Sequence, residues 1–150
     1  SYITSTYNLW FVRILIPDKH DGGVIYMELQ KRQVDDIELT ITSVNPSPDS
    51  IEIIASGPAG RYGTAFWSCV LESFDGNSGS LHGNGCGFFD EGPMMTGDLL
   101  GFWRRDDGNK IEIKLLASAS NGDQNLDLVT IDMRTKTVLI RPYVLDSVTL

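Results

Sequence analysis

The clearest regularity in the chain is the alternation Asp36-Ile37-Glu38-Leu39-Thr40-Ile41-Thr42. Successive side chains of an extended strand point to opposite faces, so this pattern predicts a strand with one wet and one buried face. Lys110 to Leu115 repeats the signature. Leu126 to Met133 alternates again, and across Arg134-Thr135-Lys136 it meets the β-branched run Thr137-Val138-Leu139-Ile140, a predicted hairpin. Further strands are expected at Trp10 to Ile16, stopped by Pro17, at Val24 to Leu29, at Ser50 to Ala55, at Gly63 to Glu72 and at Asp98 to Arg104. Between them lie turn formers: His20-Asp21-Gly22-Gly23, Asn45-Pro46-Ser47-Pro48-Asp49, Gly57-Pro58-Ala59-Gly60 and Asp106-Asp107-Gly108-Asn109.

No window of a dozen residues has capped helical periodicity, and no repeat recurs at a solenoid or propeller period. About nine or ten short strands with turn signals every ~8–12 residues predict one all-β antiparallel domain over residues 1–150. A jelly-roll-like β-sandwich is the first choice, and closure into a barrel is the competing topology. One segment resists the pattern. Between Phe74 and Gly97 the chain is rich in glycine, too long for a simple loop, so it is expected to be functional or to hide an irregular strand.

Composition narrows the function classes. A chain of 150 residues suits a single core. The net charge of −8, with no basic cluster larger than Lys31-Arg32 and Arg104-Arg105, argues against nucleic acid and anionic membranes as partners. The apolar runs are too short and interrupted for a signal peptide or a spanning helix, so no membrane insertion is expected. Cys69 and Cys86 read as free thiols. Two histidines and no cysteine at ligand spacing predict neither a metal nor another cofactor.

Gly76-Asn77-Ser78-Gly79-Ser80 looks like the nucleophile stretch of chymotrypsin-like proteases, and His20 with Asp35, Asp36 or Asp49 would complete a triad. However, His20 lies in turn-like sequence, and only 58 residues separate it from Ser78. The glycines are better explained as a hairpin turn. Asp35-Asp36 and Asp90-Glu91 are neighbours in sequence, which puts adjacent strand side chains on opposite faces rather than across a cleft. No catalytic residue is therefore assigned. Flat aromatic faces and forked guanidinium groups near turns suit a sugar or protein ligand. The ligand-binding candidates are Arg61, Tyr62, Asn84, Trp103 and Arg105, although Trp67 and Trp103 are also natural core residues.

Trp10-Phe11-Val12-Arg13-Ile14 and Val24-Ile25-Tyr26-Met27-Glu28-Leu29, followed by the 36–42 strand and Thr64-Ala65-Phe66-Trp67, occur in an order that resembles the tip domains of bacteriophage tail fibres and viral fibre heads. The likeness covers about the first 70 residues in pattern, without a diagnostic motif. It implies the C-terminal head of a longer protein, a homotrimer on the virion surface or outside the cell that binds a host glycan or protein receptor. The alternatives are a structural or assembly subunit that binds only its own copies, and a small serine hydrolase using Ser78.

Overall fold

The structure, a computed structural model, describes residues 2–4, 11–17, 20 and 22–147. Trp10 and Asp21 lie outside the described residues. Strands β1 (Tyr2–Thr4), β2 (Phe11–Pro17) and β3 (Val24–Gln30) form a small antiparallel sheet. Eight further strands follow: β4 (Ile37–Pro46), β5 (Ser50–Pro58), β6 (Thr64–Glu72), β7 (Ser78–Phe88), β8 (Met95–Arg105), β9 (Lys110–Ala119), β10 (Gln124–Asp132) and β11 (Thr137–Val144). Each of the eight pairs antiparallel with its successor, and β11 pairs back onto β4 through Thr137–Ile140 against Ile37–Thr40.

The molecule is thus all-β and antiparallel, but the main sheet is a closed up-and-down barrel where a jelly-roll-like sandwich was expected. Strands adjacent in sequence are adjacent in the sheet throughout, so none crosses between two layers. Hydrogen bonding the last strand to the first removes both free edges, which a sandwich leaves open.

Bending a sheet into so narrow a cylinder needs local relief. A bulge between Ile41 and Ser43 kinks β4. On β7 the inward positions 79, 83, 85 and 87 are all glycine, broken only by Leu81. A Cβ at Gly83 would overlap the Ser68 carbonyl oxygen, and one at Gly87 would overlap that of Tyr62. The middle of the glycine-rich segment left unplaced by sequence is therefore a strand, one whose core face mostly carries hydrogen in place of side chains.

The hairpin turns follow the chemistry read from sequence. Asp106 Oδ1 accepts from the amides of Gly108 and Lys110, and Asn109 takes φ 62°. Asp132 Oδ1 does the same for Arg134 and Thr135, ahead of Lys136 at φ 58°. With the 46–50 and 73–77 connections, these turns make one end of the barrel. That end is filled. Trp103 is buried, donates Nε1–H to the Glu72 carbonyl at 2.8 Å and has Phe74 packed at 5.3 Å, above Leu71, Leu81 and Ile111.

The small sheet covers the outside of β10 and β11. Val12 and Leu29 pack against Leu126 and Tyr143. Burying such side chains is worth about 1.5–3 kcal/mol each. The strand β10 is consequently buried on both faces, which bears on the site.

Candidate functional site: the loop end of the barrel

The opposite end, bounded by the 59–63, 89–94 and 120–123 connections, is not filled. Its interior positions carry small residues: Ala65 on β6, Gly85 and Gly87 on β7, Gly97 on β8, and Ala117 and Ala119 on β9. At Gly85 the nearest atom to an added Cβ is 3.5 Å away, and at Gly97 it is 3.6 Å away, so unlike Gly83 and Gly87 these two leave usable space. The result is an apolar cavity of about 110 Å³, walled by Leu39, Trp67, Leu99 and Ile140. An eight-stranded barrel is just wide enough for its side chains to fill it or for one small ligand to sit inside.

Two polar groups break the apolar wall. Asp127, inward on β10 and 7% exposed, has no hydrogen-bond partner for Oδ1 among the described residues. Burial pushes its carboxyl up to about 7, with the Arg32 charge opposing. Trp67 Nε1 is likewise buried and has no partner among the described residues. In the strand order, β6 and β10 are four strands apart either way round, so this donor and this acceptor stand on opposite walls. Cys69 shares the β6 wall. Burial, reinforced by the Asp127 charge, pushes its thiol well above the usual range, which leaves it protonated and a poor nucleophile.

Over the cavity lies a polar network. The Tyr62 hydroxyl donates to Asp123 Oδ2 at 2.9 Å and accepts from Asn125 Nδ2 at 2.7 Å. Burial is the main reason its pKa rises to about 12; the Asn125 bond opposes and Asp123 reinforces the rise. Arg61 reaches Asp123 Oδ2 at 2.8 Å. Arg32, just past β3, donates Nε–H to Asn125 Oδ1 at 2.8 Å, bonds the Gln124 carbonyl at 3.2 Å, and pairs with Asp146. The Arg32 bond holds the Asp146 carboxyl below the ordinary range.

The five residues expected to bind ligand do not form one site. Arg61 and Tyr62 lie in the network over the cavity, both on a single 3₁₀ turn, Gly60–Tyr62, that the glycines permit. Asn84 sits on the outer wall, where its Nδ2 donates to Asp98 Oδ1 at 3.3 Å. Trp103 and Arg105 belong to the filled end, the guanidinium of Arg105 lying 5.1 Å from the Phe74 ring centroid. Ser78 opens β7 at that same end, exposed and opposite Arg104. His20 lies in the β2–β3 connection of the other sheet. Among the described residues, no three His, Cys, Asp or Glu side chains converge as metal ligands, and no helix is long and apolar enough to cross a membrane.

Sequence reasoning missed Asp127, Asn125, Asp123 and Arg32. A signal existed: Asn125, Asp127, Val129 and Ile131 share one face of β10, and Val129 and Ile131 are its core face. A carboxylate continuing an apolar face is the mark of a buried polar site. Comparison with protein-family models, with curated proteins and with solved structures finds no match.

Proposed function

We propose that the chain is a non-catalytic binding protein that takes a small, largely apolar molecule into the loop end of its barrel. The observation carrying this reading is the pair of inward glycines, Gly85 and Gly97, whose missing side chains leave an apolar cavity in a barrel otherwise packed with side chains. Binding sites are typically concave and apolar, with a few convergent polar groups. Asp127, Trp67 and the Tyr62–Asn125 network supply those groups here.

The test is occupancy of the cavity by a neutral probe. Cyclopentanol should shift the methyl NMR resonances of Leu39, Leu99 and Ile140, and Gly97→Val should abolish these shifts while leaving the fold intact. Shifts that persist in Gly97→Val, or that map to the outer wall, would show that the molecule binds elsewhere and remove this reading.

A second reading keeps the fibre-head expectation, a homotrimer at the virion surface that engages a host receptor. It is favoured by a strip of exposed apolar residues, Leu100 and Phe102 on β8 and Leu116 on β9, away from the small sheet. Sedimentation measures it: a trimer that dissociates in Phe102→Ser supports the reading, and a monomer at high concentration counts against it.

A further inference from the structure

We propose that the ligand carries a cationic amine which salt-bridges Asp127 Oδ1, together with an acceptor atom that meets Trp67 Nε1–H on the opposite wall. This rests on the reading of the cavity as a binding site and specifies what fills it. A buried carboxyl with an unmade hydrogen bond is costly, and native interiors satisfy nearly all such groups. Asp127 lines the cavity, is 7% exposed, and has no partner for Oδ1 among the described residues. The surrounding residues do not supply one. Its β9 and β11 partners in register are Leu115 and Pro142, and Cys69 across the barrel is a neutral thiol. Arg32 lowers the Asp127 pKa through its charge alone, because its N–H groups are directed to Asn125, Gln124 and Asp146.

Charge balance points the same way. In the network, Arg32 and Arg61 are matched by Asp123 and Asp146. Asp127 is left over as a carboxyl in an apolar wall, and a cation is the ligand charge that neutralises it. An anionic ligand would put two negative charges into the same low-dielectric space. The indole on the facing wall adds a second requirement. Trp67 Nε1 is a donor with no acceptor among the described residues, so the complementary molecule presents an acceptor there. A small amino alcohol or amino ketone has this polarity, with its carbon skeleton against Leu39, Leu99 and Ile140.

The experiment compares cyclopentylamine with cyclopentanol, probes of equal size, by calorimetric titration at pH 8 with the cavity methyl resonances as a second readout. The amine should bind the wild type at least about tenfold more tightly, since a charge-assisted bond is roughly twice as strong as a neutral one. Asp127→Asn should remove that preference while cyclopentanol binding persists. Trp67→Phe should weaken trans-2-aminocyclopentanol and leave cyclopentylamine unchanged. Equal binding of both probes, or a preference for the amine that survives Asp127→Asn, overturns the amine assignment and leaves the barrel reading standing. Failure of both probes to shift the cavity methyls overturns the two readings together.

Discussion

Asp127 sits where burial works against its charge, and that gives the molecule a pH dependence of unusual sign for a carboxylate. Most native carboxyls titrate below their unfolded value and stabilise the fold as pH rises. Here the native value, about 7, lies above the ordinary 3.8. Between the two the native state binds the proton more tightly than the unfolded chain. Native stability therefore falls as pH climbs from about 4 to about 7 and levels off above. The full effect is on the order of 4 kcal/mol at most. Asp127→Asn has no such titration, so its stability relative to wild type should improve steadily between pH 4 and pH 8 in denaturant melts. A gap that stays constant with pH would contradict this. In the run Asn125-Leu126-Asp127-Leu128-Val129 the signal for this residue, a carboxylate in line with Val129, is masked by its neighbours. Leu126 and Leu128 are as apolar as the core face, because the small sheet covers them. With both faces of β10 buried, alternation cannot say which one looks inward.

Among the elements, β7 shows how one strand can both shape a barrel and hollow it. Its inward glycines fall into two kinds. A Cβ at Gly83 collides with backbone, so Gly83→Ala should cost about 1–3 kcal/mol, as overpacking does. A Cβ at Gly85 has open space, with its nearest atom at 3.5 Å, so Gly85→Ala should be neutral or stabilising by about 0.4–1 kcal/mol through the unfolded chain. Urea midpoints distinguish them, and equal losses at the two sites would refute the distinction. The strands with apolar inward positions, such as Ile37 to Ile41 and Ile111 to Leu115, were legible from sequence because alternation is visible when one face is aliphatic. In Ser78 to Phe88 the period of two survives as glycine at 79, 83, 85 and 87, which reads as a loop unless glycine is allowed to stand for a core residue. The tight turns at 106–109 and 134–136 were legible because their chemistry is local.

For the molecule as a whole, barrel closure was beyond the reach of sequence patterning. It depends on β4 meeting β11, about a hundred residues apart, and the same alternating strands serve a sandwich equally well. The seam is short. Only Thr137 to Ile140 pair with β4, and beyond them the chain before β4 takes over, with Lys31 bridging Tyr143 and the Arg32 amide bonding the Pro142 carbonyl at 2.9 Å. The Arg32 side chain ties this join to Asn125, Gln124 and Asp146. Arg32→Ala should therefore cost about 1–3 kcal/mol, the usual loss when a part-buried acceptor, here Asn125 Oδ1, is left without its donor. It should also speed amide hydrogen exchange over Arg141–Val144 without changing exchange on β6. Uniform protection across both regions would argue against Arg32 as the fastener.

That seam also sets an order of events during folding. Seven of the eight barrel contacts join neighbours in sequence and can form as hairpins, but the eighth waits for β11, the last strand of the barrel, to reach β4. Until β11 meets β4, these two strands are bare edges, each able to recruit a strand from another molecule. A sheet whose final pairing spans so much chain closes slowly. The period in which this protein is most exposed to misassembly thus lies between the pairing of β11 with β10 and its closure onto β4.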